Sequence, residues 1–548
     1  MKYWIIAVLT IISIESNAQS LDKYWIQFKD KKGTPYSIFK PQEFLSPRAI
    51  ERRQRLGIPV DEMDLPVSPV YLQALEDMGA KIYTVSKWFN AATIYAEDEN
   101  IIEDIKGLSF VNEVEATGRY RKPRPIRKKK SRDNEETYAD INNYYGYGWN
   151  QISMLNGHRL HQIGFRGEGM LVAVLDGGFV NFDISPFFDS VRAENKVLQS
   201  RDFVDNDDYA YEASDHGFNV VSTIVGNLPG LLVGTSPDAS VVCIRTEEVS
   251  SELKIEEDNW VAGAEYADSL GVDVINSSLG YTSFDKSKMS YKYKDMDGKT
   301  ARISIAAGIA AKKGILVVNS AGNDGNNTWR YIGAPADAND ILTVGAVTAD
   351  KEMAYFSSYG PTYDGRIKPS VAARGYDAIV GTPTYRVDSA SGTSFASPIM
   401  AGMVTSLWQA FPNKSNLEII HAVEQSADMA DNPNNSLGHG IPDMMKAFQL
   451  LSNTANDESI MMSKASPLLI ANYEQGTYDV VFNVTDKTKA EVTIHNSFGQ
   501  EVERFTAAIR LDELNRVRLQ SLSTASSGYY LVTLKTGSAI YRMKVFKM

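Results

Sequence analysis

A chain of 548 residues exceeds what one domain usually holds, and at roughly 150 residues per domain three or four units are expected. The hydrophobic fraction of 43% and charged fraction of 23% are those of a globular protein, which excludes a disordered chain and a polytopic membrane protein. The formal charge of −12 argues against a general nucleic-acid binder.

Residues 1–18 carry Lys2, an apolar run from Trp4 to Ile14, and then Ser16-Asn17-Ala18, the pattern of a secretory signal cleaved before Gln19. The run is shorter than the roughly 20 residues that span a bilayer, and no later stretch qualifies as a membrane helix. Residues 19–118 read as a small α+β domain. Tyr24 to Phe28, Ala91 to Ala96 and Ser109 to Val111 have strand character, Ser68 to Met78 reads as an amphipathic helix, and Glu97 to Ile105 as an acidic one. No catalytic cluster falls in this domain, which leaves a propeptide or a separate binding module. Residues 119–145 begin with a basic run, Arg119 to Arg132, that cannot bury a core and is expected to be an exposed, protease-sensitive linker.

Across residues 146–452, continuous apolar runs alternate with helical patterns. Met170 to Leu175, Val241 to Arg245, Val272 to Asn276, Ile315 to Asn319 and Ile341 to Val347 predict parallel strands covered by helices on both faces, an α/β domain. In such a sheet functional residues gather at the carboxyl ends of the strands. Cys243 is the only cysteine, so no intramolecular disulfide forms, and its apolar neighbours predict an inert buried thiol. A polar linker follows Leu451. Within residues 453–548, alternating runs at Tyr478 to Val484, Ala490 to His495, Tyr529 to Leu534 and Tyr541 to Val545 predict a C-terminal β-sandwich.

Four residues carry candidate chemistry. Asp176 closes an apolar strand before Gly177-Gly178, and His216 opens an apolar helical stretch. Asn323 closes Ser320-Ala321-Gly322-Asn323 after another buried run, and Ser394 sits in Gly392-Thr393-Ser394 at the start of a helix whose apolar residues recur from Phe395 to Leu407. Thr393 and Ser394 are good cap types, and the unpaired N–H groups of a helix start would stabilise an oxyanion. Each residue alone has an ordinary reading as a turn aspartate, a structural histidine, a turn asparagine or a helix cap. The chain's other histidines, 158, 161, 421, 439 and 495, lie in settings with no such partners, and His158 and His161 flank a surface-like polar segment.

Together, Leu175-Asp176-Gly177-Gly178, His216-Gly217, Ser320-Ala321-Gly322-Asn323 and Gly392-Thr393-Ser394 with Ala396-Ser397-Pro398 resemble the subtilase family of serine proteases, over roughly residues 151–450. The order Asp, His, Ser is that of subtilisin and not that of chymotrypsin or the α/β-hydrolases, which disfavours an esterase of the latter type. The resemblance implies that Ser394 is the nucleophile, His216 the general base, Asp176 its orienting partner, and Asn323 with the Ser394 N–H the oxyanion hole. It further implies that Ser278, Leu279 and Gly280 pair with extended substrate, while Ser320, Ala321 and Gly322 line the pocket for the residue before the cut.

Two features depart from the family pattern. Asn219 stands where many members have a second histidine, and the segment from Thr282 to Lys312 is longer than a minimal connection. For the flanks the resemblance implies an inhibitory propeptide before the basic linker, a mature start near residues 133–150, and a tail similar to the C-terminal sorting domain of type IX secretion. The resulting expectation is a subtilisin-like fold and a secreted serine endopeptidase made as a zymogen. It would act on polypeptides, reach the outside or the cell surface through the periplasm by the type IX machinery, and bind no nucleic acid. The competing class is a non-catalytic surface adhesin that kept the fold. No metal motif such as His-Glu-x-x-His occurs, the chemistry needs no cofactor, and structural calcium is left open without a ligand set.

Overall fold

Runs that are apolar at every position must be covered on both faces, and the structure meets that demand with a parallel sheet. The computed structural model describes residues 22–119 apart from 97 and 99, residues 144–454, and residues 468–547 apart from 473–476, 483–488, 509–514 and 538. The segment expected to be a signal peptide and nearly all of the basic linker lie outside the described residues. Seven strands lie in the order Val371–Arg374, Leu342–Val347, Leu316–Ser320, Val274–Ser277, Leu171–Asp176, Ser240–Arg245 and Arg201–Asp202, and every neighbouring pair is parallel.

Alternation of side chains then sends the apolar residues to two separate cores. Val172, Val174, Val241 and Cys243 pack with Met400 and Val404 of the helix Thr393–Gln409 on one face. Leu171, Ala173, Leu175 and Val242 pack on the other with Trp260 and Ala264 of the helix Ile255–Leu270 and with Ala306 of the helix Arg302–Lys312. Each fully buried Val or Leu contributes about 1.5–3 kcal/mol, so this double coverage is what holds the sheet. Cys243 is free and buried, and burial raises its thiol pKa well above the ordinary value, as an inert core position requires.

The N-terminal domain is a four-stranded antiparallel sheet in the order Lys81–Ser86, Ala91–Ala96, Asp22–Phe28 and Val111–Arg119. The last strand, expected to end at Val111, begins there and runs through Glu113 and Glu115 to Arg119. The acidic helix starts later than expected, at Asn100, where Asp98 accepts a hydrogen bond from the Asn100 N–H. A helix that the periodicity did not reveal, Pro47–Leu56, has Ser46 accepting from the Ala49 N–H at its start and Gly57 at φ 67° at its end.

This domain lies on the helix Ile255–Leu270 through buried charge. Arg53 reaches Asp64 (2.7 and 2.9 Å) and Asp268 (2.8 and 3.0 Å), Arg52 reaches Asp268 (2.7 Å), and Lys87 reaches Asp268 (3.2 Å). The side chain of Ser86 and the backbone N–H groups of Lys87 and Trp88 donate to Glu265, while Glu115 binds Lys254 (2.8 Å) and Arg302 (2.5 Å).

The C-terminal region forms two antiparallel sheets, one of three strands and one of four, around a shared core that includes Tyr478, Val492, Ile494, Tyr530, Val532 and Leu534. That is the expected β-sandwich. The linker expected to begin after Leu451 instead starts as part of the helix Met444–Thr454, in which Ser452 donates its hydroxyl back to the Phe448 carbonyl (2.8 Å). Among the described residues no helix is long and apolar enough to cross a membrane.

Candidate active site

The candidate residues meet at the carboxyl ends of the strands. Asp176 ends its strand and is fully buried. Its two carboxylate oxygens lie 2.9 and 3.0 Å from His216 Nδ1, and one of them also accepts from the Gly177 N–H (2.8 Å). His216 is the first residue of the helix His216–Val225. The next residue must be glycine, because a Cβ on Gly217 would fall 2.4 Å from the Gly178 carbonyl and push the helix away from the strand. The imidazole is 35% exposed and packs against Phe395. Burial pulls its pKa down, but the Asp176 charge and hydrogen bond, with Glu247 and Asp215 beyond, outweigh it and push the value up to about 9.

Ser394 is nearly buried, at 8% exposed, in the first turn of the helix Thr393–Gln409. The cap differs from the sequence expectation. Gly392 occupies the cap position and offers no side chain, and Asn323 serves from outside the helix, its Oδ1 accepting from the Thr393 N–H (2.9 Å) and hydroxyl (3.1 Å). Those two bonds fix the amide orientation and leave Asn323 Nδ2 as the free donor end.

Pro398 sits inside the helix and has no N–H for the Ser394 carbonyl. That carbonyl accepts instead from the Ser278 hydroxyl (2.9 Å), which in turn accepts from Asn276 Nδ2 (3.1 Å), while Ser397 donates to Asn276 Oδ1 (2.9 Å). The Ser394 hydroxyl donates to the Ser278 carbonyl (3.3 Å), and among the described residues no hydrogen bond joins it to His216. The sequence reading assigns Asn276 and Ser397 no role. Their signal was present, since a fully buried asparagine in the otherwise apolar run Val274-Ile275 needs partners.

A cavity of about 470 Å³ joins Ser394 and Asn323 to Ser278, Gly280, Ser320, Ala321 and Gly322. Leu279, the sixth residue expected on the substrate side, is not part of that lining. It is 4% exposed and belongs to the core beneath the sheet, where its carbonyl accepts from Asn319 (3.2 Å). Sequence alone cannot tell which side of a short strand turns inward.

Known proteins agree with this architecture. The profile of the subtilase family, Peptidase S8, matches residues 167–440. The chain belongs to the subtilase family. A second profile, the Peptidase S8 propeptide domain of Bacteroidota, matches residues 23–136 of this subtilase. Subtilisin DY of Bacillus licheniformis is 28% identical over 279 residues, covering 50% of this chain and 90% of the relative. Subtilisin E of Bacillus subtilis strain 168 is 26% identical over 366 residues, covering 65% and 81%. A solved structure, that of MycP1 from the ESX-1 type VII secretion system, covers 56% of this chain and 87% of its own, with a TM-score of 0.45 and 22% identity. The subtilase is a serine endopeptidase of the subtilisin type with an N-terminal propeptide domain.

Both departures from the family pattern have a structural account. Asn219 turns its amide so that the nitrogen donates to the carbonyls of Gly381 (2.9 Å) and Asp215 (3.3 Å), a tie between helix and neighbouring strand. The long connection after Thr282 is shorter than expected as a loop, because the helix Arg302–Lys312 occupies its second part. His161 was read as lying by a surface segment. It is buried and neutral, with Tyr145 on Nδ1 (3.1 Å) and the Thr235 carbonyl on Nε2 (3.0 Å), and burial takes its pKa down to about 3.

Among the described residues of this subtilase, two acidic groups could hold a cation by geometry, Asp202 with Asp205 and Glu212, and Glu247 with Glu252 and Glu256. In the first, Arg245 already binds Asp202 (2.8 Å) and Asp205 (2.6 Å), so a guanidinium supplies the positive charge.

Proposed function

We propose that this subtilase is an exported zymogen that hydrolyses peptide bonds through Asp176, His216 and Ser394, with Asn323 and the Ser394 N–H as the oxyanion hole. The observation that carries the reading is the buried Asp176 carboxylate holding His216 Nδ1 at 2.9 and 3.0 Å, at the mouth of a cavity that also holds Ser394 and Asn323. An Nδ1–H donated to the carboxylate leaves Nε2 as the basic nitrogen.

In this mechanism the Ser394 hydroxyl leaves its contact with the Ser278 carbonyl and attacks the scissile carbonyl carbon, its proton passing to His216 Nε2. Oxyanion charge develops where the free Nδ2 of Asn323 and the first-turn N–H groups of the helix can donate. His216 returns the proton to the amine as the C–N bond breaks, and water repeats the sequence on the acyl-enzyme. The charged His216 that this requires is the form Asp176 favours. Substrate pairs in extended form along Ser278 and Gly280 and seats a side chain by Ser320, Ala321 and Gly322. Leu279 contributes its backbone alone. No cofactor takes part.

The N-terminal domain acts as an intramolecular inhibitor until the chain is cut in the basic linker. The docked segment beginning at Tyr144, where the Tyr147 N–H donates to the Leu231 carbonyl, remains with the enzyme. The C-terminal β-sandwich serves as the sorting domain for type IX secretion, which takes the protein to the outside or the cell surface. The test compares the secreted protein with its Ser394→Ala form for casein hydrolysis and for the N-terminal residue of each. Hydrolysis and a start near 133–150 in the first alone support the reading. Equal hydrolysis by both contradicts it.

A further inference from the structure

The cavity beside Ser394 has an unusual charge pattern. Glu252, Asp285 and Asp324 line it, and none of its lining residues is basic. Two of these acids are held together by backbone pairing, the Asp285 N–H donating to the Glu252 carbonyl (2.9 Å) and the Glu252 N–H to the Asp285 carboxylate (3.4 Å). Behind Glu252 stand Glu247 and Glu256, with carboxylate oxygens of all three within 4.8 Å of one another.

Several other acids drawn out of water in this part of the molecule have cations, and Glu257 and Glu265 are held by hydroxyl and backbone N–H donors. Asp258 has Arg302, Glu115 has Arg302 and Lys254, and Asp268 has Arg52, Arg53 and Lys87. Glu247 and Glu252 form no ion pair among the described residues. Burial, with Asp176 beside Glu247 and with Glu247 and Asp285 beside Glu252, pushes both carboxyls up to about 7. Negative charge collected in a half-buried cavity is stabilised by a cation that arrives with a ligand.

We propose that this cavity is a subsite for a basic side chain, so that the enzyme prefers peptides with lysine or arginine on the amino-terminal side of the cut, held by Glu252 and Asp285. The inference rests on the protease reading and adds its substrate class. The first such peptide is part of the chain itself. The strand Val111–Arg119 packs near its end on the first turn of the helix that carries Glu256, a Cβ on Gly118 lying 3.1 Å from Ile255. The sequence that follows holds nine Lys and Arg residues between 119 and 132. That basic sequence is complementary in charge to the acidic cleft.

The test uses mature enzyme and matched fluorogenic peptides in which each of the four positions before the cut is in turn arginine, leucine or glutamate. At one or more positions arginine is expected to exceed leucine in kcat/KM by about tenfold or more, and glutamate to be worst. In the double variant Glu252→Gln, Asp285→Asn that ratio is expected to fall to within about threefold. A ratio of arginine to leucine near one in the wild type, or a ratio unchanged in a folded double variant, overturns the proposal.

Should the double variant not fold, the wild type answers alone. A synthetic peptide of residues 119–132 is expected to compete with substrate, more weakly as salt rises, while the same peptide with its basic residues replaced by glutamine does not. Equal competition by both peptides overturns the proposal. Loss of all hydrolysis in Ser394→Ala separates the two layers of argument: if that variant cleaves these peptides as well as the wild type, the protease reading itself has failed.

Discussion

At one end of the helix Ile255–Leu270, Asp268 is surrounded by Arg52, Arg53 and Lys87; at the other, Glu256 shares a small volume with Glu247 and Glu252 and no ion pair. The helix explains part of the contrast. Its carboxyl end carries partial negative charge, so an aspartate in the last turn is disfavoured unless cations surround it, whereas its amino end tolerates Glu256, Glu257 and Asp258 in the first turn. Partner supply explains the rest. Asp268 faces the N-terminal domain, which brings its own arginines, while Glu252 lines the cleft with Glu247 behind it. The same residue type therefore builds a closed contact in one place and leaves an open site in the other.

The largest way to break this comparison is at the closed end. In a Ser394→Ala background, which keeps the chain whole, Arg53→Ala strands charge in a contact where the side chains of Arg53 and Asp268 are 1% and 0% exposed. Asp268 keeps Arg52 and Lys87, and Asp64 keeps Lys313, so the expected loss is at the low end for a buried pair, about 3 kcal/mol, read by denaturant unfolding. At the open end, Asn323→Ala removes the free donor and is expected to lower kcat by about 10²–10³ with KM little changed.

A smaller effect tests the charge reading of the cleft. His216 is held up to about 9, so the proton stays on to higher pH and the neutral base form appears only in the alkaline range. The acid limb of kcat/KM is therefore expected well above the ordinary histidine value. Glu247→Gln removes one of the charges raising it, and should move the limb to lower pH by about half a unit. The smallest effect is on stability. A carboxyl raised to about 7 costs the fold nothing below its ordinary value of 4.5; the cost grows as pH rises from there towards 7 and is fully present above it. Glu252→Gln should thus stabilise the protein at pH 8 by roughly 1 kcal/mol after allowance for solvent screening, and leave it unchanged at pH 4.

Sequence exposed the open end of this comparison better than the closed one. Five apolar runs sufficed for the five central strands of the parallel sheet, because a strand buried on both faces has no alternation to misread, whereas the short edge strands Val371–Arg374 and Arg201–Asp202 were not read; the motifs around Asp176, His216, Asn323 and Ser394 are local. The contact with the propeptide domain was invisible. Arg52 and Arg53 lie in a helix that periodicity does not reveal, and nothing local marks Glu256, Glu257 and Asp258 as buried. Their partners come from tens to hundreds of residues away, and only tertiary contact makes them buried. Asn323 shows the same limit at short range, since its role as cap for the Ser394 helix depends on a residue 70 positions on.

The measurement closest to the central claim is covalent labelling of the active mature enzyme with a fluorophosphonate, followed by peptide mass mapping. The account predicts a single adduct on Ser394, formed with loss of fluoride, and none in His216→Ala or Ser394→Ala. An adduct on another residue, or labelling of Ser394 that is equally fast without His216, would contradict it.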